Sequence, residues 1–311
     1  MASSPPYSLM RGAMAPPPLD AMKYVLTLIG KALSADHLSE AAALVGAEAP
    51  ACWLAEGAAA ELFFEAPSAE ATARVRRALG GAEIDLAVQA ARGRRRRLLL
   101  ADMDSTIITV ECIDEMADML GLKEEIQAIT AAAMAGELDF AQALRRRVAM
   151  LEGLPLEALQ RVMDERVTLT AGARTLVQTM RADGAFTVLI SGGFSFFTEQ
   201  VAEAAGFDRQ FANRLSLADG RLDGTVLAPI VDRNVKLETL RRLAAERGLD
   251  RSQTMAVGDG ANDLEMVRAA GLGVAFHAKP VLADAAAARI DHNDLTALLY
   301  LQGYRKDEFR G

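Results

Sequence analysis

At 311 residues the chain exceeds one typical domain and is long enough for a sizeable core plus an additional module. Hydrophobic residues make up 51% and charged residues 24%, the balance of a soluble globular protein, and a net charge of -8 argues against a general nucleic-acid binder. Two cysteines, Cys52 and Cys112, imply no disulfide framework and fit a reducing cytoplasm, and no apolar run approaches the roughly 18 residues that span a bilayer. The first stretch, 1–21, lacks the continuous apolar segment of a signal peptide; its prolines and small residues predict a flexible tail.

From there the elements come in a regular order. "KYVLTLIG" (23–30) has strand character, and "ADHLSEAAALVG" (35–46) reads as a helix. Two strand candidates, "ACWLAEG" and "AAELFFEA", follow around a glycine near 57. A helix over 68–81 starts on the cap-competent Ser68 with Glu70 in its first turn, and "IDLAVQA" closes the set as a strand. This β-α-β-β-α-β order predicts a ferredoxin-like unit over 22–92. "RGRRRR" (92–97) reads as a solvated linker in an acidic protein rather than a nucleic-acid patch. Next come the buried strand of "LLLADMDST" and a long helical stretch, about 112–182, expected to form an inserted cap. Strands and helices then alternate: "FTVLIS", "SFFTEQVAEAAG", the short segments of "RLSLADGRLDGTV", "KLETLRRLAAERG", "TMAVG", "ANDLEMVRAAG", "GVAF" and a C-terminal helix from about 293. The expected fold class is α/β, a doubly wound parallel sheet over 93–311 with a helical cap, preceded by the small α+β unit.

Chemistry-bearing residues gather at the predicted strand ends, where open α/β sheets bind ligands. Asp102 and Asp104 end the first strand of the large unit, Ser191 with Gly192 and Gly193 the second, and "GDGAND" (258–263) a later one; Lys236 opens a helix. Asp102, Asp104, Asp259 and Asp263 in one pocket would repel by roughly 4 kcal/mol per pair at about 4 Å, which several times over rivals a domain's stability of about 5–15 kcal/mol. A bound cation removes the conflict. Carboxylate oxygens without histidine or cysteine suit a hard ion, Mg²⁺ first, which commonly also binds substrate phosphate. Lys236, the Ser191 hydroxyl and the glycine amides supply the positive side of a phosphoryl pocket. A carboxylate beside phosphorus can attack it to give an aspartyl phosphate, and the second aspartate can protonate the leaving alkoxide and later deprotonate water. Taken singly, Asp102 and Asp104 could open a turn, Asp263 could charge a helix start, and Lys236 and Glu111 could be surface residues.

"DMDST", "SGG", Lys236 and "GDGAND" together resemble the four signature motifs of haloacid-dehalogenase-superfamily phosphatases. That resemblance implies Asp102 as nucleophile, Asp104 as general acid/base, Ser191 and Lys236 on phosphate, and Asp259 on Mg²⁺ with Asp102, the Asp104 backbone carbonyl and a supporting Asp263. Over about 98–300 the chain also resembles the phosphoserine phosphatase family, through "ECIDEMA", "FAQALRRRV", "SGGF", "FANRL" and "VGDGANDLEM". This implies Glu111 on the substrate ammonium, Arg147 on its carboxylate, Met134 and Phe140 closing the cap over it, and Gly192 and Asn262 as further phosphate contacts. Phe140 and Arg147 are seven apart and share a helix face, while Arg145 and Arg146 point elsewhere. Phe140 and Met134 could equally be cap core. Met103 replaces the Phe of some relatives on a side expected to be buried. The ferredoxin-like unit resembles, in element order, the ACT-type regulatory modules of amino-acid enzymes. His37, His277 and His292 receive no role.

The expectation is a cytoplasmic Mg²⁺-dependent phosphatase acting on the small molecule phosphoserine in serine biosynthesis. Neither nucleic acid nor membrane is expected as a partner, and a homodimer is left open. Two rivals stand beside it: a phosphatase of the same core for another small phosphomonoester, and a non-catalytic amino-acid-binding regulator.

Overall fold

The computed structural model describes residues 23–47, 49–134 and 137–311. The expected tail over 1–21 lies outside them.

The front unit runs β1 (Tyr24–Gly30), α1 (Ala35–Val45), β2 (Cys52–Ala55), β3 (Ala59–Phe64), α2 (Ala69–Ala78) and β4 (Ile84–Ala90). Local chemistry sets the helix starts: the Ser34 hydroxyl accepts from the His37 amide and the Ser68 hydroxyl from the Ala71 amide. All pairings are antiparallel in the order β2-β3-β1-β4, the ferredoxin-like arrangement. Alternation divides the strands. Leu26, Leu28, Leu62 and Leu86 pack under the two helices with Leu38 and Val75. The opposite face does not meet water. Ile29, Ala59 and Ala87 join a core cluster shared with Leu298, Leu299 and Tyr300 near the C-terminus.

Polar bonds seam this face to the rest of the chain. The buried Asp85 carboxylate accepts from the backbone amides of Asp291 (2.8 Å), His292 (3.2 Å) and Asn293 (3.1 Å) and from the Asn293 carboxamide (2.8 Å). Arg94 and Arg96 of the linker are part of the seam, which corrects the expectation of a solvated linker at those two positions, while Arg92, Arg95 and Arg97 are exposed. Arg94 forms a buried ion pair with Glu61 on β3. Arg96, 8% exposed, donates to the Ser252 carbonyl and to Gln89 on β4, and Arg95 pairs with Glu308 while lying over the Tyr304 ring. A guanidinium offers five donors in a fixed fork, so one arginine can satisfy acceptors from several segments.

The larger unit contains β5 (Leu98–Ala101), α3 (Cys112–Asp118), α4 (Lys123–Met134), α5 (Phe140–Ala149), α6 (Leu156–Glu165), α7 (Ala173–Ala182), β6 (Phe186–Phe194), α8 (Ser195–Ala205), β7 (Arg209–Ala218) and β8 (Arg221–Leu227). It continues with α9 (Arg233–Glu246), β9 (Thr254–Gly258), α10 (Leu264–Ala269), β10 (Leu272–Phe276), α11 (Pro280–Ala283), β11 (Ala288–Ile290) and α12 (Ala297–Leu301). The sheet order is β11-β10-β9-β5-β6-β7-β8, parallel except for β8. β5, apolar and fully buried, sits between β6 on one side and β9 on the other. The chain leaves β5 in one direction and returns later in the other, so the crevice at the carboxyl ends of β6, β5 and β9 is the topological switch point.

α3 to α6 gather over that crevice as a helical cap, and α7 returns the chain to the sheet against β6 and α8. The segments around "ADG" form an antiparallel hairpin, β7–β8, whose outer strand reaches the cap: the Gly153 amide donates to the Leu222 carbonyl and the Leu222 amide to that of Leu154. Three details differ from the sequence reading. The cap stops before α7 and does not run to about 182, because α7 packs on β6 and α8. β11 adds an edge strand within an alanine-rich run that carries no strand pattern, and the C-terminal helix begins at Ala297, after turns that hold the Asp85 contacts. Among the described residues no helix is long and apolar enough to cross a membrane.

Candidate active site

Asp102 follows β5 directly and is 3% exposed, its amide still bonded to the Val257 carbonyl of β9. The chain then turns sharply, with Ser105 at φ +54°, a left-handed conformation that few non-glycine residues adopt. This turn separates the two aspartates. Asp102 Oδ1 accepts from Lys236 Nζ at 2.6 Å and Oδ2 from Asn262 Nδ2 at 3.5 Å. Asp104 instead accepts from the Cys112 amide at 2.8 Å and from the Ser191 hydroxyl at 3.0 Å.

Ser191, Gly192 and Gly193 lie where the pairing of β6 with β7 breaks register, between Ile190 and Phe194. Such irregularities re-aim backbone and side chains beside active sites. The Ser191 hydroxyl accepts from the Gly193 amide at 2.8 Å. A Cβ on Gly193 would stand 2.9 Å from Asp104 Oδ2 and 3.0 Å from Ser191 Oγ, so only glycine lets the loop approach this closely.

Lys236 sits in the first turn of α9, whose cap Asp232 accepts from the Asn234 and Val235 amides. Its ammonium, 1% exposed, lies between Asp102 Oδ1 and Asp263 Oδ1, the latter at 2.7 Å. Burial alone would push the Lys236 ammonium down, but the Asp102 and Asp263 carboxylates outweigh it and hold it above its ordinary value.

Asp102, Asp259 and Asp263 each offer a carboxylate oxygen, all within 4.8 Å of one another. The donor set is oxygen alone, without imidazole or thiolate, and fits a hard divalent cation. Asp104 is not part of that triplet. Burial, then the neighbouring Asp102 charge, pushes Asp259 up to about 6 against the pull of Lys279, whose ammonium is 3.9 Å away. The same two causes push Asp263 up to about 8 against Lys236. Burial and Glu111 push Asp104 up to about 7 against the Cys112 amide.

These shifts give a stability prediction for the metal-free protein. The fold holds the protons of Asp104, Asp259 and Asp263 more tightly than the unfolded chain, whose aspartates titrate near about 3.9. Their favourable contribution is therefore complete at low pH and is lost as pH rises through about 6 to about 8. With chelator present, melting temperature should fall between pH 5.5 and pH 8.5. An added divalent cation should raise it most at the alkaline end, because the ion needs ionised oxygens. A chelated protein whose melting temperature is flat across that range would contradict the assignment.

On the cap side, Phe140 begins α5 and presses on the Ser191–Gly193 loop: a Cβ on Gly192 would stand 3.1 Å from the Phe140 ring. Arg147 is half-buried and donates to Thr130 Oγ1 at 3.2 Å, whereas Arg145 and Arg146 on the same helix are exposed. Burial lowers the Arg147 guanidinium while Asp114, Glu111 and Asp104 raise it, which places those acids within its field. Glu111 lies at the rim and accepts from the Ser105 hydroxyl at 2.7 Å. Met134 closes α4, and its side chain lies outside the described residues.

Three neighbours of the site had no role in the sequence reading: Ser105, Lys279 and Asn213. Asn213 is the third residue of "FANRL", a carboxamide within an otherwise strand-like segment, and the fold buries it fully. The three acids, the lysine and the hydroxyl-bearing loop at the switch point define a carboxylate-rich hydrolase of the doubly wound α/β class.

Comparison places that class more narrowly. A model of the haloacid dehalogenase-like hydrolases matches residues 99–268, and the chain belongs to that family. It is 48% identical over 227 residues to a phosphoserine phosphatase of Streptomyces coelicolor, covering 72% of this chain and 55% of that protein, so the match spans about half of that relative's length. A solved haloacid-dehalogenase-family hydrolase from Salmonella enterica serovar Typhi superposes with a TM-score of 0.81 at 31% identity, covering 89% of this chain and 98% of that one. A solved phosphoserine phosphatase carrying an analogue of its phospho-aspartyl intermediate superposes with a TM-score of 0.62 at 40% identity, covering 66% and 98%.

Proposed function

We propose that the protein is a phosphoserine phosphatase that converts O-phospho-L-serine to L-serine and phosphate, closing serine biosynthesis in the cytoplasm. The observation that carries this reading is the division of labour between two aspartates two residues apart. One is paired with a buried lysine, and the other is pushed up to about 7 beside a serine hydroxyl.

Asp102 is the nucleophile. Its Oδ1 is engaged by Lys236, and Oδ2, with only the longer Asn262 contact, is the oxygen free to attack phosphorus. The Asp102–phosphorus bond forms as the ester bond breaks, and Asp104 passes its proton to the departing serine oxygen. Its raised value keeps that proton available near neutrality. Water then attacks the aspartyl phosphate, Asp104 takes the proton from water, and phosphate leaves with Asp102 restored. Ser191, Gly192 and Lys236 bind the phosphoryl oxygens, with Asn262 at the edge. Asp102, Asp259 and Asp263 would hold the divalent cation, Mg²⁺ by its preference for oxygen, and it would supply positive charge to the phosphoryl oxygens. Phe140 on Gly192 excludes bulk water from above.

The amino-acid end of the substrate falls to the cap, with Glu111 on the ammonium and Arg147 on the carboxylate. Charge-assisted hydrogen bonds contribute about 1.5–3 kcal/mol, so Arg147→Ala should raise KM for L-phosphoserine about 10- to 150-fold. The same change should leave p-nitrophenyl phosphate, which has no carboxylate, nearly unaffected. Equal losses on both esters would assign Arg147 to cap structure instead. The reading as a whole is tested by phosphate release from L-phosphoserine against a panel of small phosphomonoesters, with Mg²⁺ and with chelator. L-phosphoserine should lead the panel, and chelator should stop turnover. Faster release from another ester would favour a phosphatase of different specificity, and serine binding without phosphate release would favour a regulator.

A further inference from the structure

We infer that Asn213 is a positioning residue for the phosphoryl pocket, tying the loop that ends β6 to the segment that launches α9. This rests on the phosphatase reading of the site.

Asn213 lies on β7 opposite Phe194, at the point where pairing with β6 resumes after the Ser191–Gly193 irregularity, and it is fully buried. Its carboxamide works in two directions. Nδ2 donates to the Gly192 carbonyl at 2.8 Å and to the Val231 carbonyl at 3.3 Å, and Oδ1 accepts from the Val231 amide at 2.7 Å. Both amide hydrogens and one acceptor position are thereby used, the condition under which a buried carboxamide stabilises rather than costs.

Each bond has a geometric consequence. A trans peptide points its N–H opposite its C=O, so pinning the Gly192 carbonyl toward Asn213 turns the Gly193 N–H the other way, where it meets the Ser191 hydroxyl. That hydroxyl in turn contacts Asp104. Val231 immediately precedes Asp232, the cap of α9, and Lys236 lies in the first turn beyond. One side chain thus fixes the two groups of phosphate donors against each other, although they come from separate crossovers.

Asn213→Ser shortens the side chain without adding charge, and Asn213→Leu keeps the volume while removing every polar atom. A misplacement of about 1 Å in a reacting geometry can cost about 10²-fold. Asn213→Ser should therefore lower kcat about 10- to 100-fold on both L-phosphoserine and p-nitrophenyl phosphate. The inhibition constant of inorganic phosphate should rise by a similar factor, while that of L-serine, held by the cap, stays within about 2-fold. Unchanged kcat and phosphate inhibition in a folded Asn213→Ser protein would overturn the proposal. Equal weakening of phosphate and serine would also do so, because that pattern marks a loosened structure. Where Asn213→Leu does not fold by circular dichroism, Asn213→Ser decides, and if neither folds Asn213 is a folding determinant and the proposal falls. A parent protein that turns over p-nitrophenyl phosphate but not L-phosphoserine removes the phosphoserine reading, while the Asn213 comparison can still be made on the former.

Discussion

Asp102→Asn should yield a folded protein with turnover at least about 10⁴-fold below the parent, since loss of a covalent nucleophile costs up to about 10⁶-fold in well-studied hydrolases. The substitution keeps the shape of the side chain, and a carboxamide oxygen can still accept from Lys236 Nζ. It removes the negative charge that the proposed mechanism directs at phosphorus. Two measurements bear on it together. Phosphate release should vanish, and intact-mass analysis after rapid quenching should show no phosphorylated enzyme where the parent shows an 80-dalton adduct, the mass of one phosphoryl group by atomic composition. A variant retaining near-parent turnover would remove Asp102 from the chemistry, and the assignment of Asp104 would fall with it.

Lys236→Met should damage both catalysis and the fold. Methionine replaces the length of the side chain but leaves Asp102 and Asp263 facing each other with no cation between them. Breaking a buried ion pair by removing one partner costs about 3–5 kcal/mol, which a denaturant melt in chelator should register. Loss of one preorganised donor to the phosphoryl oxygens should lower kcat about 10²- to 10³-fold. The destabilisation has a direction in pH. Without Lys236 to pull it down, Asp263, already pushed up to about 8, holds its proton more tightly still. The loss should therefore be smaller at pH 6 than at pH 8.5, and added Mg²⁺ should recover part of it by neutralising the same carboxylates. Equal destabilisation at both pH values, with no response to Mg²⁺, would show that the lysine packs rather than balances charge.

How far the sequence revealed this arrangement depends on the range of each interaction. The meeting of Asp102, Asp104, Ser191, Asp259 and Asp263 was legible because they lie in short motifs that follow apolar strands, where open α/β sheets gather ligand-binding groups, while Lys236 reaches them from the start of a helix. Arg147 could be told from Arg145 and Arg146 because helical spacing is local, and the exposure of the latter two agrees with that spacing. Interactions that depend on distant partners were not legible. Arg94 and Arg96 read as solvated because Glu61, Gln89 and Ser252 are far away along the chain. β11 was missed because its three residues are defined only by pairing with β10. Asn213 sat in a quoted motif, yet its meaning lies in Gly192 and Val231, which only the folded sheet brings to its two ends.

The seam around Asp85 carries a consequence for how such proteins can be rebuilt. A small module attached by a slack tether could be exchanged for another without disturbing its host. Here the host presents three consecutive backbone amides to one acid of the module, and the tether's own guanidinium groups are bonded into both halves. Any graft in place of the first ninety or so positions must bring an equivalent acid and an equivalent Glu61, or leave those donors stranded without water. Replacement of the front half therefore demands a matched joint as well as a matched fold.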